Sequence, residues 1–280
     1  MTGSGIISLL LIILTVLISY RGFKDHRFFE NHTFEVEKVL LFKQYIRLVS
    51  SGFLHVNWMH LLLNMFSLLM FSSGLESYLG PFGFLLIYFS SLIGGNLLAL
   101  LIHRNHGEYS AVGASGAVNG IIFASIALFP GMNIGLFLLP IHLPAWIYGL
   151  LFVGFSIYGI RSRRENVGHE AHLGGALIGM LVALLMVPSA IIYNYVPILI
   201  LVLPTLAFII LIIRRPDFLL VQNLFYKKSH EYSIDHKYNV QKAKKQFDID
   251  QILEKIHKKG MNSLTRKERQ QLDEYSKKRD

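Results

Sequence analysis

The chain has 280 residues, 52% of them hydrophobic, and a mean hydropathy of +0.45, which is too apolar for a soluble domain and predicts a polytopic membrane protein. It contains no cysteine, so disulfides, thiolate nucleophiles and thiolate-bound metals are excluded. The net charge is +9, and residues 214–280 hold 17 Lys/Arg against 10 Asp/Glu, so most of the excess lies in the tail.

The first apolar run, 4–20, is uncharged and ends at Arg21. A secretory signal carries its positive charge ahead of the apolar run, and no small-x-small cleavage site is obvious, so this segment predicts a retained span. Residues 21–58 mix charges with Phe28, Phe29, Phe34, Leu40, Leu41 and Phe42, and part of this loop is expected in the interface plane. Further apolar runs fall near 59–79, 82–102, 113–129, 144–160, 170–188 and 196–213. Each is about long enough to cross a bilayer, which takes roughly 20 residues. Gly80-Pro81, Pro130-Gly131, Pro140, Pro144 and Pro188 supply the breaks. Pro197 and Pro204 fall in the last run, which reads as a kinked seventh span or a tilted interfacial segment.

The tail divides in two. Residues 214–246 are polar and basic without a steady period and read as a linker. Ile249, Ile252, Leu253 and Ile256 then follow helical spacing, with Gly260 as a C-cap. Thr265 and Glu268 fit a capping box opening a last helix with Leu272 and Tyr275. Basic character behind a membrane domain predicts contact with anionic lipid, and no nucleic-acid partner is expected because no recognised motif is present. The expected organisation is a membrane domain over 1–213, a basic linker over 214–246 and a small helical hairpin over 247–280. The fold class is all-α: a polytopic helical bundle of six spans plus a seventh.

Several residues stand out as carriers of chemistry. Ser115 lies in Gly113-Ala114-Ser115-Gly116, where a polar loop meets an apolar run. A serine hydroxyl is a weak nucleophile that needs a base. At a helix start it has unpaired backbone N–H groups and the positive end of the dipole beside it, both suited to a developing oxyanion. Gly113 lets a substrate backbone come close. Gly116 and Gly120 form a small-xxx-small face, and on their own these residues equally suit a packing seam. Ala171, Gly175 and Gly179 repeat that face in a later run, with His172 beside it. An intramembrane histidine is a functional candidate because polar groups are costly there. If the two helices pack, the imidazole reaches the hydroxyl and catalysis outweighs a plain helix–helix hydrogen bond. His60 and Asn64, four apart, share a face and can donate to an oxyanion, or serve a structural network.

Competing motifs fail on spacing. His169-Glu170-Ala171-His172 has its histidines three apart, where a zincin helix needs four, and no metal or cofactor is implied. No acidic residue is placed as a third triad member, leaving a Ser-His dyad. His103 and His106, in a short polar loop, are expected to be solvated.

His60-x-x-x-Asn64, Gly113-x-Ser115-Gly116 and Ala171-His172-x-x-Gly175-x-x-x-Gly179, in this order and in these spans, resemble the rhomboid family of intramembrane serine proteases, of bacterial type with an extra C-terminal segment. The resemblance implies Ser115 as nucleophile and His172 as general base and then acid. It implies an oxyanion hole of His60, Asn64 and the Ser115 N–H, with Gly113 shaping the pocket. Gly116, Gly175 and Gly179 would pack the helices, Arg47 would match the arginine of a first-loop Trp-Arg motif, and Glu76 would brace that loop. Two positions depart from the pattern: Ile46 replaces the tryptophan, and Asn119 replaces a tyrosine that stacks on the histidine.

The expected activity is therefore an endopeptidase cutting transmembrane segments of membrane proteins, with single-span or other transmembrane substrates and lipid as partners. The competing class is a non-catalytic scaffold or chaperone holding membrane clients. The expected location is a bacterial inner (cell) membrane. Family orientation puts the site on the extracytoplasmic side, whereas the Lys/Arg excess in the loops near 21–58, 103–112 and 161–168 predicts the reverse.

Overall fold

The computed structural model describes residues 5–129, 131–135, 142–162 and 168–214, and residues 252, 255, 256, 260–265, 268–270 and 272 of the tail. The chain divides into two compact units, Met1–Gln222 and Asn223–Asp280.

The first unit is the expected helical membrane bundle. Helix α1 (Ile6–Lys24) is followed by short helices α2 (His26–His32), α3 (Val36–Leu40) and α4 (Arg47–Ser50), which give the first loop its own structure. Helix α5 (Trp58–Ile102) has 45 residues, about twice what a bilayer needs. It breaks at Gly80, whose φ of 74° and ψ of 170° are outside the helical region, and Pro81 follows. Glycine accepts that backbone, and proline cannot return the hydrogen bond that would bridge the break. The half before the break runs antiparallel to α1: Glu76 meets Ile7, and Trp58 packs on Tyr20 and Phe23. Helices α6 (Ser115–Leu128), α7 (Ala145–Ser162), α8 (His169–Met186), α9 (Ala190–Tyr193) and α10 (Tyr195–Arg214) complete the unit. Helix α10 is long and apolar enough to span, and it continues through Pro204.

Helix α6 sits at the centre, with every residue from Gly116 to Leu128 buried. It lies against the second half of α5 and against α8 at positions that leave little or no room for a side chain. A Cβ on Gly116 would stand 3.3 Å from the carbonyl oxygen of Ala171. One on Gly120 would overlap Ser91 and lie 3.0 Å from the Gly175 oxygen. One on Gly179 would lie 2.6 Å from the Gly120 carbonyl carbon. The rising pairs show that α6 and α8 run parallel. Without a hydrophobic drive between helices in lipid, such close backbone contact supplies the packing energy. At the far end of α6, the Asn194 amide donates to the oxygens of Ile126 and Ala127, 2.7 and 3.0 Å away, and so caps two terminal carbonyls.

Two features depart from the sequence reading. Two-residue strands β1 (Phe34–Glu35) and β2 (Ser110–Ala111) pair antiparallel, joining the first loop to the segment before α6, and β3 (Asn133–Gly135) pairs with β4 (His142–Pro144). Glu76 does not brace the first loop. Its two carboxylate oxygens accept from the Ile7 and Ser8 amides, each at 3.0 Å, at the opposite end of the bundle. The first turn of α1 has unpaired donors at a helix end, and a buried carboxylate satisfies two of them.

In the second unit Ile252 and Leu264 are buried together with Ile256 and Leu272 packed on them. Glu268 accepts from the Thr265 N–H at 2.7 Å, and Thr265 Oγ1 accepts from the Glu268 N–H at 3.3 Å, the reciprocal pair of a capping box. Gly260 takes a φ of +76°, and its N–H donates to Ile256 O at 2.8 Å. The expected linker over 214–246 lies, apart from Arg214, outside the described residues.

Candidate active site

The loop before α6 is fixed from three sides. Asn96 of α5 donates to the oxygen of Leu48 at 2.8 Å and to Ser51 Oγ at 3.2 Å, holding the turn that follows α4. The Gly113 N–H donates to Ser51 O at 3.0 Å. The Ala114 N–H donates to His55 Nε2 at 3.4 Å, so that nitrogen is the acceptor. His55 Nδ1 therefore carries the proton and donates to Ser19 Oγ at 2.9 Å, whose own hydroxyl donates to Phe53 O at 2.8 Å. His55 is fully buried, and burial, followed by the neighbouring His60, pushes its pKa down to about 3.

Gly113 has a φ of +131°, a conformation that favours glycine, and the space a Cβ would need is already filled. That Cβ would fall 2.8 Å from His60 Cε1 and 3.6 Å from Ser115 Oγ, so the His60 ring and the Ser115 hydroxyl converge on Gly113. His60 stands in the first turn of α5, where Asn57 caps by accepting the His60 N–H at 2.8 Å. The rings of His55 and His60 meet edge to face at 4.8 Å. Asn64, buried one turn further on, donates one amide hydrogen to His60 O at 2.9 Å and retains a second.

Helix α8 supplies the base candidate. Its first turn begins after Gly168, and the parallel seam with α6 carries His172 to the start of α6. Ser115 Oγ and His172 Nε2 lie 2.6 Å apart. With a neutral imidazole the hydroxyl donates to Nε2, and Nδ1 carries the ring proton. Ser115, His172 and His60 are each partly exposed, whereas Ala114, Gly116, Asn64 and Ala171 around them are buried.

Asn119 turns its amide back to Ser115 O at 2.8 Å and places no ring beside His172. Phe152 of α7 lies there, its centroid 6.2 Å from the imidazole at 32°, and it is backed by Phe123 at 5.8 Å. The His169 ring stands 5.8 Å away on another side.

The sequence reading named Ser115, His172, His60, Asn64 and Gly113, and all five lie in this region. Gly116, Gly175 and Gly179 form the seam beneath it. Arg47 lies within the first loop, where it donates to Gln44 Oε1 at 2.6 Å, Glu30 O at 2.7 Å and Thr33 O at 2.6 Å. Burial lowers the Arg47 pKa, and Glu35 nearby counters that. Ile46, in place of the tryptophan, is 69% exposed. His103 is not solvated: its side chain is 15% exposed and meets Glu170 at 3.1 Å. Sequence reasoning missed His55 and Phe152. His55 carried a signal, a histidine between Leu54 and Val56 at the edge of an apolar run. Phe152, an aromatic within an apolar run, carried none.

Comparison with known proteins agrees with this architecture. A family described as the Rhomboid domain matches residues 43–189, and a family of unknown function, DUF6576, matches residues 232–278. Rhomboid protein 1, mitochondrial, of Saccharomyces cerevisiae is 34% identical over 150 residues, covering 51% of this chain and 43% of that protein. RHOMBOID-like protein 12, mitochondrial, of Arabidopsis thaliana is 31% identical over 147 residues, covering 47% and 43%. Rhomboid-like protein 11, chloroplastic, of the same plant is 30% identical over 165 residues, covering 53% and 56%. These matches span about half the length of the curated relatives. With the domain match covering more than half of its length and a bundle of apolar helices built to cross a bilayer, the chain belongs to the rhomboid family of multi-pass membrane proteins.

Proposed function

We propose that the chain is an intramembrane serine endopeptidase that cleaves transmembrane segments of other membrane proteins. The observation that carries the reading is the 2.6 Å approach of Ser115 Oγ to His172 Nε2, at the start of a buried helix and beside His60 and Gly113. Ser115 Oγ attacks the scissile carbonyl carbon while its proton passes to His172 Nε2. The carbonyl oxygen becomes an oxyanion and takes hydrogen bonds from the Ser115 N–H, His60 and the second amide hydrogen of Asn64. The imidazolium then gives its proton to the leaving amide nitrogen, the C–N bond breaks, and an ester remains on Ser115. Water, deprotonated by His172, attacks the ester and restores both side chains. This cycle needs no metal or cofactor.

Peptide inside an intact helix has its carbonyls paired and shielded, so a substrate segment must unwind before it reaches Ser115. Helix-breaking residues in the substrate therefore favour cleavage. The basic tail and the bundle face lipid on this reading, with the membrane domain ending near 213 and the hairpin a separate module. The relatives named above are mitochondrial or chloroplastic, and a bacterial cell membrane is the setting proposed for this chain.

Reporter cleavage tests the function. Wild type and Ser115→Ala are reconstituted in liposomes with a transmembrane reporter. Cleavage by wild type alone supports the proposal. Equal cleavage by both, or none across a broad substrate panel, defeats it and favours a client-holding protein. Because the chain has no cysteine, a single cysteine at residue 30 reports the orientation. Labelling in intact cells places the first loop and the site outside, and labelling only after permeabilisation places them in the cytoplasm.

A further inference from the structure

The two reacting groups come from different helices. Ser115 opens α6, and the segment 103–114 that leads into it is a connection without a helix of its own. His172 stands in the first turn of α8. A hydroxyl and an imidazole held at 2.6 Å require that this segment and that turn keep a fixed relation. The glycine seam fixes the helices below, contacts to Ser51 and His55 hold Gly113 and Ala114 to the first loop, and a further contact ties the connection to the turn that carries His172.

Glu170 stands there. It is two residues before His172 and 7% exposed. A carboxylate accepts only, so His103 Nε2–H donates to Glu170 Oε1 across 3.1 Å. His103 is the residue that ends α5 and opens the connection. Its ring stacks on Tyr109, centroids 3.7 Å apart and planes 7° from parallel. The Tyr109 hydroxyl is buried close to Glu170. Burial, and then Glu170, push its pKa up, so the phenol stays protonated. A Cβ on Gly168, the residue before α8, would stand 3.3 Å from that hydroxyl. Tyr109 is in turn held through its backbone: its oxygen accepts the Val36 N–H at 3.1 Å, and Ser110–Ala111 pair with β1. Four residues beyond Ala111 is Ser115.

We infer that Glu170 is a positioning residue: its buried carboxylate, held by His103, whose ring stacks on Tyr109, latches the segment that delivers Ser115 to the helix turn that delivers His172. The location suits a carboxylate. The first turn of α8 has unpaired N–H groups and the positive end of the dipole, which favour a negative charge. The bond to His103 offsets part of the desolvation cost, and removing either partner leaves the other buried and unpaired. Glu170 does not touch the reacting atoms. Residues two apart on a helix do not face one another, so its effect on His172 runs through the turn and the loop.

This role rests on the reading of Ser115 and His172 as a reacting pair, and the test separates the two. A fluorophosphonate probe reports activation of Ser115 without substrate binding, and the transmembrane reporter gives kcat and KM. Wild type labels and Ser115→Ala does not. Glu170→Ala lowers the labelling rate and kcat about tenfold to a hundredfold, since misplacement by about 1 Å costs on the order of a hundredfold, and leaves KM unchanged. Glu170→Gln, whose amide oxygen still accepts from His103, recovers most of the rate. His103→Ala matches Glu170→Ala, and the double variant is no slower than either, as a shared contact requires. Wild-type rates in Glu170→Ala, equal loss in Glu170→Gln, or multiplied losses in the double variant would each overturn the latch. No labelling of wild type would overturn the protease reading and the latch together. Should Glu170→Ala not yield folded protein, His103→Ala, which leaves the carboxylate in place, carries the same expectation.

Discussion

Gly175→Ala places a methyl group in the seam between α6 and α8. Its carbon would lie 2.7 Å from the Gly116 carbonyl carbon and 3.0 Å from Gly116 Cα, with the carbonyl oxygen closer still. Carbon atoms rest at about 3.5–4.0 Å, so the helices must part by about 1 Å. All three obstructing atoms are backbone and cannot rotate away. Gly116 adjoins Ser115, and Gly175 is less than one turn beyond His172, so the separation acts on the 2.6 Å contact and stretches it to about 3.6 Å, outside hydrogen-bond range. The expected costs are about 1–3 kcal/mol of stability from overpacking and on the order of a hundredfold in rate from misplacement. Gly154→Ala is the matched control, because nothing lies within 4 Å of the added carbon on α7. Alanine there gains about 1 kcal/mol of helix propensity. Melting in detergent and the rate of fluorophosphonate labelling measure both effects. If Gly175→Ala melts and labels like Gly154→Ala, the claim that close backbone contact sets the Ser115–His172 geometry is refuted.

Phe152→Leu removes the ring beside His172, and aromatic pairs are worth about 0.5–1.5 kcal/mol, so labelling slows about three- to tenfold with reporter KM unchanged. An unchanged labelling rate shows that α7 does not position the imidazole. His55 has a folded pKa of about 3 against an ordinary 6.5, so below pH 6.5 the unfolded chain takes up a proton that the native state refuses. Its contribution is complete above pH 6.5 and declines toward pH 3, by up to about 1.4 kcal/mol per pH unit. Melting across that range reports it, and a wild-type slope no steeper than that of His55→Gln rules it out. Glu76→Ala leaves the Ile7 and Ser8 amides without an acceptor and costs about 1–3 kcal/mol in thermal unfolding. Because Glu76 caps the far end of the bundle, the labelling rate stays within about twofold. A large loss of labelling in a folded Glu76→Ala protein contradicts this placement.

Much of the bundle was legible because its signals are local. An apolar run of span length becomes a helix in lipid wherever its backbone has no other partner. Gly80-Pro81 announced the break in α5, since proline cannot donate and glycine accepts the φ of 74° found there. The spacing of Gly175 and Gly179 predicted a seam, and Thr265 with Glu268 predicted a capping box. Partner choice was not legible. By resemblance Glu76 was expected to brace the first loop, yet its carboxylate serves the first amides of α1, which the first loop brings antiparallel to the first half of α5. His103 looked solvated in a short polar loop, because its acceptor, Glu170, is 67 residues away in sequence. The β1–β2 pair was invisible because two residues define no alternation. Within the candidate site, motif spacing marked Ser115, His172, His60, Asn64 and Gly113, while Phe152 was hidden among apolar neighbours that look the same in sequence.

The depth of Ser115 follows from a length. Helix α6 has 14 residues and rises about 21 Å, whereas the hydrocarbon core is about 30 Å thick. If its far end, capped by Asn194, lies at one edge of that core, its near end stops several ångströms short of the other. The polar connection must therefore descend to meet it. Unpaired backbone in lipid is expensive, and two donors at the end of that connection are paired: the Gly113 N–H donates to Ser51 O and the Ala114 N–H to His55 Nε2. Both partners belong to the first loop. The loop between α1 and α5 is thus not a lid laid on a finished bundle. It supplies acceptors for the segment that leads into Ser115. That requirement explains why the first loop is a folded set of short helices and a strand, and why its inner residues, Phe34, Val36, Val39 and Leu54, are buried as completely as the core of the spans.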